Sequence, residues 1–261
     1  MLVFVHIEKT AGTTLKFIFR NTFGKGHCDS LKNKKKVFTR EDLEYARKVF
    51  GTIRCISGHN LVEPTRNLNG EGLRFITILR EPLTRMASYY QDDCLRGKNE
   101  KPFEEWAADE FRHNMQVRRI AGEENLEKAK RLLAEEYTFV GLTERFGESL
   151  KLLALSVPEK LNLKYKKKLI TRDNTIKQEL LQSQTTRKIL AETNELDAAL
   201  YEYVQTELFP ERIRKVQDQL QHVILPEEHY RNNLTWNYQV SVGFNKFVYR
   251  QLLKRRNKTG K

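Results

Sequence analysis

The segment from Lys9 to Thr14 carries the clearest chemical signal in the chain. Its sequence, Lys-Thr-Ala-Gly-Thr-Thr, follows a short apolar run at residues 2–7 and precedes an amphipathic stretch at residues 15–23. A loop between a strand and a helix presents several backbone N–H groups to one small volume, and such loops bind phosphate and similar anions. The sequence therefore predicts an anion-binding loop.

The residue types in this loop suit a phosphate ester. Gly12 would let the backbone approach an oxyanion closely, and Thr13 and Thr14 can donate hydrogen bonds. Lys9 can neutralise charge on a bridging oxygen that becomes a leaving group. The lysine precedes the glycine, unlike the GxxxxGK[ST] pattern of magnesium-dependent nucleotide hydrolases and kinases. A P-loop kinase of small molecules is therefore the less favoured alternative, and an ordinary turn with capping threonines is another.

A second segment carries complementary groups. Arg80 follows the strongest apolar run, at residues 73–79, and Ser88 lies eight residues later, just over two helical turns. A guanidinium and a hydroxyl at this spacing can bind one phosphate if Arg80 reaches back from the end of a strand. Between them, Arg85 is compatible with a surface position, a buried helix clamp or a ligand contact.

Alternating strands and helices must position these two segments. Apolar runs predict strands at residues 2–7, 52–57, 73–79 and 137–141. Helical periodicity is seen at residues 15–23, 41–50, 126–133, 146–155, 176–190 and 196–220. Strands that alternate with helices form a parallel sheet covered on both faces. We therefore predict an α/β fold, with a P-loop-like parallel sheet flanked by helices and a largely helical C-terminal half.

Charge and composition restrict the partners. The chain has 47 Lys and Arg residues against 34 Asp and Glu residues, a formal net charge of +13 at pH 7, and such a charge attracts anions at long range. A non-enzymatic binder of an anionic polymer is the second alternative. Cys28, Cys55 and Cys94 form no CxxC pair, which predicts free thiols and no metal site. No window approaches the roughly 18 consecutive apolar residues of a membrane span.

The two segments together resemble motifs of a known family. Residues 6–14, His-Ile-Glu-Lys-Thr-Ala-Gly-Thr-Thr, and residues 79–90, Leu-Arg-Glu-Pro-Leu-Thr-Arg-Met-Ala-Ser-Tyr-Tyr, look like the 5′-phosphosulfate loop and the 3′-phosphate motif of carbohydrate sulfotransferases. The heparan sulfate 2-O- and 6-O-sulfotransferase branch is the most similar. Further similar segments follow in the same order at residues 58–59, 114–118, 139–146 and 194–201.

The resemblance implies that the donor is 3′-phosphoadenosine 5′-phosphosulfate and that no metal is required. Arg80 and Ser88 would hold its 3′-phosphate, and Lys9 would assist departure of the 5′-phosphate. In the family a histidine between the two motifs takes the proton from the acceptor hydroxyl, and His59 stands at the matching position. A neutral imidazole suits this chemistry near neutral pH. The residues implied in holding the 5′-phosphosulfate are Lys9, Thr10, Ala11, Gly12, Thr13 and Thr14.

Other polar residues near the motifs are further candidates. Glu8 is the second-ranked base, because a glutamate base occurs in other sulfotransferase branches. His6 lies within the alternation of the first strand and either packs there or contacts a substrate. Contacts with the acceptor or donor are also expected for Asn114, Gln116 and Arg118, for which a solvated helix face is the alternative.

The expected activity is in-line transfer of a sulfuryl group from this donor to a hydroxyl of a carbohydrate or related acceptor, which the positive charge would allow to be acidic. We expect one domain over residues 1–261, with a cofactor-binding core at about residues 1–150 and a helical acceptor-side part at about residues 151–261. The animal enzymes carry a membrane anchor and stem before the first strand, which starts here at residue 2. A soluble, cytoplasmic protein is therefore expected, with a chain from which the anchor has been removed as the alternative. No nucleic-acid partner is expected.

Overall fold

The computed structural model describes residues 1–30, 37–62, 72–165 and 174–226, together with residues 239 and 242–243. Within these ranges five strands form one sheet in the order β2-β3-β1-β4-β5, and every neighbouring pair is parallel. The strands are β1 Leu2–Val5, β2 His27–Asp29, β3 Cys55–Gly58, β4 Arg74–Leu79 and β5 Tyr137–Leu142. The predicted parallel sheet is confirmed.

Helices flank the sheet and make up most of the remaining described chain. The first seven are α1 Gly12–Phe23, α2 Arg40–Phe50, α3 Pro82–Leu95, α4 Phe103–Ala107, α5 Met115–Ala121, α6 Leu126–Glu135 and α7 Phe146–Ser156. The others are α8 Thr175–Gln182, α9 Gln184–Thr193, α10 Glu195–Tyr203, α11 Phe209–Lys215 and α12 Gln217–Leu220. A π-helical turn, Val204–Leu208, joins α10 to α11. The predicted helical C-terminal half is confirmed.

The central strand, β1, lies between β3 and β4. Its four residues are buried, as expected for an apolar strand covered on both faces. The connection that leaves β1 leads through α1 to β2, beyond β3, whereas the connection that leaves β3 leads to β4 on the opposite side of β1. β1 and β3 are therefore neighbouring strands whose connections lead in opposite directions. In sheets of this type, ligands bind in the crevice at the carboxyl ends of such strands.

A cap at the start of α3 fixes the end of β4. The Glu81 carboxylate accepts hydrogen bonds from the N–H groups of Leu83 at 2.9 Å and Thr84 at 2.7 Å, and Pro82 occupies the first helical position. Proline suits that position because the N–H it lacks would have no partner within the helix. The helix therefore begins directly after the strand, and Arg80 is left at the carboxyl edge of the sheet.

The buried apolar side chains continue from the sheet into the C-terminal helices. One cluster includes Phe4 of β1, Phe139 of β5, Leu200 of α10 and Phe209 of α11. A second cluster joins α3 and α4 to α9 and is built from Met86, Phe103, Trp106, Ala107 and Leu190. The division of the chain into domains stays a prediction.

Some elements differ from their predicted forms. Strand β2 was not predicted, because three residues with His27 and Asp29 at their ends give no readable alternation. The predicted strand at residues 52–57 is shifted to Cys55–Gly58. The predicted helix at residues 176–190 is two helices, because Ser183 ends α8 and its hydroxyl accepts from Thr186 N to cap α9. The lysine-rich run at residues 32–36 and the basic tail at residues 254–261 lie outside the described residues.

Three further features concern the described ranges only. None of their helices combines the length and the apolar character that crossing a membrane requires. The same ranges contain no group of three or more His, Cys, Asp or Glu side chains arranged to hold a metal ion. Cys28, Cys55 and Cys94 are free thiols.

Candidate active site

The loop after β1 has a strained backbone. Lys9 and Ala11 adopt φ angles of 67° and 61°, in the left-handed region that residues with a β-carbon rarely enter. Each such residue costs roughly 1–3 kcal/mol, which is tolerated where the surrounding structure enforces it. Ala11 directly precedes α1, so the first N–H groups of that helix lie at the sheet edge without intrahelical acceptors. Backbone of this kind forms a concave site for anions.

The three threonines of the loop have different environments. Thr10 is fully buried, and its hydroxyl donates to the carbonyl oxygen of Ile7 at 3.0 Å. Thr13 is exposed and Thr14 is half-buried. Thr10 therefore maintains the shape of the loop, and the hydroxyls of Thr13 and Thr14 are the ones that a ligand can reach.

The imidazole ring of His6 leaves no room for a side chain at Gly12. A β-carbon at this position would lie 1.9 Å from Nε2 of His6, so a larger residue would displace the imidazole. The glycine lets the His6 ring pack against the first turn of α1. Its expected role in the close approach of an anion stays a prediction.

Lys9 contacts an acidic residue of α3. Its Nζ lies 3.4 Å from Oδ1 of Asp92, which also accepts from Nε of Arg96 at 3.0 Å. Burial lowers the pKa of Lys9, and the Asp92 carboxylate partly offsets that shift. Asp92 thus serves as the counter-ion of Lys9, and the pair is partly exposed, so an anionic ligand can compete for the ammonium group.

Arg80 joins β4 to the loop after β1. Its N–H donates to Oε1 of Gln116 at 3.0 Å, and its carbonyl accepts from Nε2 of Gln116 at 2.9 Å. Its Nη1 donates to the carbonyl oxygen of Lys9 at 3.0 Å, so Arg80 lies beside the loop after β1. Nε of Arg80 is buried and has no hydrogen-bond acceptor in the described residues, with Glu144 Oε1 at 3.9 Å. An unpaired buried donor is costly, and an anion would satisfy it.

Ser88 and Lys177 lie near these groups. Ser88 is half-buried and precedes Asp92 by one turn on α3, so it shares the side of the helix that faces Lys9. Lys177 lies in the first turn of α8, and its N–H donates to Oε1 of Gln91 on α3 at 3.0 Å. Burial lowers the pKa of Lys177, and the charges of Arg80 and Lys9 lower it further. Arg80 thus lowers the pKa of both lysines at this edge, and Lys177 was not among the predicted site residues.

His59 follows β3 and has a defined tautomer. Its Nδ1 lies 2.7 Å from the carbonyl oxygen of His6, and because a carbonyl can only accept, Nδ1 carries the proton. Neutral His59 therefore keeps its lone pair on Nε2, the atom that could accept a proton from a hydroxyl. Burial lowers the pKa of His59, and the Glu8 carboxylate partly offsets the shift. The side chain is 33% exposed, so a substrate can reach it.

His6 lies behind His59. Its ring centroid is 4.1 Å from that of His59 and 5.3 Å from that of Phe4. Burial, followed by the charges of His59 and Lys16, lowers the pKa of His6 well below its usual value. His6 is therefore a neutral packing residue whose carbonyl orients His59, and this placement does not favour the direct substrate contact expected of it.

Glu8 has a basic partner on each side. Its Oε1 accepts from Nη2 of Arg119 at 2.9 Å and lies 3.4 Å from Nδ1 of His59. Burial raises the pKa of Glu8, but Arg119 and His59 more than offset this, so the pKa is lowered. An ion-paired carboxylate is a weak base, and the geometry favours Glu8 as a partner of His59 rather than as a competing base. Sequence reasoning missed Arg119.

Two helices cap each other beneath the crevice. Oδ1 of Asn114 accepts from the N–H groups of Leu196 at 3.1 Å and Asp197 at 3.3 Å, at the start of α10. The Asp197 carboxylate accepts from the N–H groups of Gln116 at 3.0 Å and Val117 at 2.8 Å, at the start of α5. Each side chain satisfies donors that the other helix leaves without an acceptor.

This arrangement gives roles to residues that the sequence left open. Arg85 is fully buried with Nη2 3.7 Å from Asp197 Oδ2, so it is a buried clamp. Asn114 is hydrogen-bonded to the start of α10 and Gln116 to the backbone of Arg80, which favours positioning roles over the predicted substrate contacts. Arg118 lies further out, with Nη1 donating to the carbonyl oxygen of Glu110 at 2.7 Å.

A parallel sheet with a basic, N–H-rich loop and a neutral histidine at one carboxyl edge defines an α/β protein built to bind an anionic ligand. The chain matches the model of the sulfotransferase family over residues 1–204, a range that includes both motifs, His59 and the capping pair of α5 and α10. The chain therefore belongs to the sulfotransferase family, whose members are enzymes that transfer sulfate. No curated protein matches the chain, and its relation to the heparan sulfate branch stays a prediction.

Proposed function

We propose that this enzyme transfers a sulfuryl group from 3′-phosphoadenosine 5′-phosphosulfate to a hydroxyl of a carbohydrate or related acceptor. The observation that carries the proposal is the meeting, at the ends of β1, β3 and β4, of a cationic loop with a histidine that is neutral and protonated on Nδ1. The loop supplies charge for the donor, and the histidine supplies a base for the acceptor.

The basic groups fit a donor with two phosphate positions. Lys9 and the N–H groups that open α1 would hold the 5′-phosphosulfate, with Thr13 and Thr14 at the accessible side. Arg80, whose buried Nε has no hydrogen-bond acceptor in the described residues, would hold the 3′-phosphate with Ser88. The donor, when bound, supplies an activated sulfuryl group whose departure leaves negative charge on a phosphate oxygen.

Two residues of the crevice then have separate roles in the transfer, one toward the acceptor and one toward the donor. Nε2 of His59 accepts the hydroxyl proton as the acceptor oxygen forms its bond to sulfur. Lys9 leaves Asp92 and stabilises the charge that appears on the bridging phosphate oxygen as the sulfur–oxygen bond breaks. Preorganised donors aimed at developing charge are usually the largest catalytic contribution. The proton ends on His59, and the sulfuryl group ends on the acceptor.

Calorimetric titration with 3′-phosphoadenosine 5′-phosphate, with and without magnesium and alongside ATP, tests the donor. We expect metal-independent binding that is lost in Lys9→Ala and Arg80→Ala and kept in Arg131→Ala, an exposed arginine on α6. A preference for ATP with magnesium would replace the proposal with the kinase alternative. Weak, steeply salt-dependent binding without nucleotide preference would indicate a binder of anionic polymers.

The acceptor is tested separately, with the bisphosphate as the measured product. Release of 3′-phosphoadenosine 5′-phosphate that depends on added saccharide would support a carbohydrate acceptor. If only a phenol or an amine stimulated release, the carbohydrate part of the proposal would be wrong and the donor part would stand.

A further inference from the structure

Three interacting side chains lead from α5 to the crevice, in the order Arg119, Glu8 and His59. Arg119 Nη2 is 2.9 Å from Glu8 Oε1, and the same oxygen is 3.4 Å from Nδ1 of His59. The side chains of Arg119 and Glu8 are only 17% and 20% exposed. Charges that are largely removed from water act strongly on one another, so the state of Glu8 affects His59.

The Nδ1 proton of His59 has two acceptors within reach. The carbonyl oxygen of His6 is at 2.7 Å and Glu8 Oε1 is at 3.4 Å. The carbonyl is the nearer acceptor, and Arg119 already occupies the Glu8 oxygen. Without Arg119 the carboxylate would keep His59 as its one ion-pair partner within 4 Å among the residues that the structure describes. The ring would then turn toward Glu8 and gain a proton more readily.

We propose that Arg119 is a positioning residue for the transfer reaction, which holds Glu8 so that the His59 ring stays on the carbonyl of His6 with Nε2 directed to the acceptor. The inference rests on the proposed function, in which His59 is the base. The hydrogen bond of Arg119 goes to Glu8, and its effect on His59 comes from that contact and from its own charge.

The other charged groups near Glu8 and His59 are still present when Arg119 is replaced. Lys16 of α1 lowers the pKa of both His6 and His59, and Arg85 and Tyr89 of α3 interact with Glu8. Their effects are therefore constant across the variants below. Removing Arg119 withdraws one positive charge from His59 and leaves the negative charge of Glu8 uncompensated, and both changes favour the imidazolium form.

The test is the pH profile of turnover for Arg119→Gln, with histidine-selective NMR to follow His59. We expect the acid limb of the profile to move upward by about one pH unit, with turnover recovering at higher pH, and the NMR titration of His59 to move by the same amount. Arg119→Lys, which keeps the charge, should shift less. Arg131→Gln, which removes a surface arginine paired with Glu135 on α6, should leave both readouts unchanged.

The double variant Glu8→Gln/Arg119→Gln separates positioning from simple structural support. Because it removes the uncompensated carboxylate as well, the acid limb and the NMR titration should return toward wild type. A rate that is reduced equally at every pH, with an unmoved His59 titration and no recovery in the double variant, would overturn the inference. A shifted NMR titration in a protein without sulfuryl transfer would instead overturn the proposed function and support the effect of Arg119 on His59.

Discussion

The two sides of the crevice are built on opposite electrostatic principles. On the side proposed to hold the donor, called the donor side below, Lys9, Arg80 and Lys177 are charged and partly exposed. The charge of Arg80 lowers the pKa of both lysines. On the histidine side, His6 is buried, His59 is one-third exposed, and both are neutral. Their ring positions are fixed by stacking and by a backbone carbonyl. The donor side carries positive charge that an anionic ligand would neutralise. The histidine side is uncharged, so that His59 can accept a proton.

The comparison also concerns strain and support. The donor loop contains two left-handed residues with β-carbons and a lysine whose counter-ion is a single carboxylate of α3. The histidine side has no such backbone, and its groups are held by Arg119 and by the packing of Gly12 against His6. On the donor side, an anionic ligand can therefore replace Asp92 as the partner of Lys9. On the histidine side, the contacts of His6 and His59 are expected to stay the same when a ligand binds.

The largest expected effect is on the histidine side. His59→Ala should lower turnover by about 10² to 10⁴, because a general base contributes on that scale, and should leave nucleotide affinity nearly unchanged. Steady-state rates and a calorimetric titration with 3′-phosphoadenosine 5′-phosphate measure the two quantities on one preparation. A large loss of nucleotide binding would show that His59 supports the donor side as well and that the two sides are not separate.

Replacement of the loop lysine should have the next largest effect. Lys9→Ala should lower turnover by about 10² to 10³, the scale of one lost donor to a developing oxyanion. Lys215→Ala, at an exposed position on α11, is the matched control. Near-normal turnover in Lys9→Ala would mean that the leaving oxygen is stabilised from elsewhere.

The buried neutral histidines should make stability depend on pH. Burial lowers the pKa of His6 and lowers that of His27 to about 3, whereas both titrate near 6.5 when unfolded. Below that value the unfolded chain binds more protons than the folded chain, so stability falls as the pH falls. At about pH 5 the loss is about 2 kcal/mol for His27 alone.

Urea unfolding at about pH 7 and about pH 5 measures this difference. The lysines and arginines of the donor side are protonated throughout this window, so they should contribute little to it. A free energy of unfolding that is equal at the two pH values would mean that His6 and His27 gain protons within the folded protein. His6, on the histidine side, would then not be neutral.

The smallest expected effect is on a peripheral member of the donor side. Lys177→Ala should weaken nucleotide binding by about tenfold, the scale of one charge-assisted hydrogen bond, without changing the rate at saturating donor. Lys188→Ala, an exposed lysine on α9, should leave the affinity unchanged. Unchanged affinity in Lys177→Ala would restrict the donor side to residues near the strand ends.

The fold was predictable where apolar runs are long. Residues 73–79 and 137–141 are apolar or β-branched apart from Arg74 and Gly141, and both are in strands of the sheet. Strand β2 could not be predicted, because an edge strand of three residues is defined by its pairing with Cys55–Gly58 rather than by its own pattern. The break at Ser183 was readable in principle, since serine is a strong helix N-cap.

The candidate site was predictable only where its residues follow strands. His59 and Arg80 come directly after β3 and β4, and Lys9 lies four residues after the end of β1. Parallel strands bring their carboxyl ends together. Arg119 and Lys177 come from helices, where periodicity indicates which face is buried but not which distant side chain it meets. Asp197 lies in residues 194–201, one of the segments that resemble the family. Its contact with α5 could not be predicted, because it depends on the packing of two helices.

The reciprocal caps of Asn114 and Asp197 have a consequence for how the protein folds. The contact joins residues 83 positions apart, and closing so long a loop is slow relative to local helix formation. A nascent chain that ends before residue 197 lacks the carboxylate that secures the first turn of α5, the helix that carries Arg119. The sheet can therefore form early, whereas the crevice above it is completed only after α10 has been synthesised and has docked.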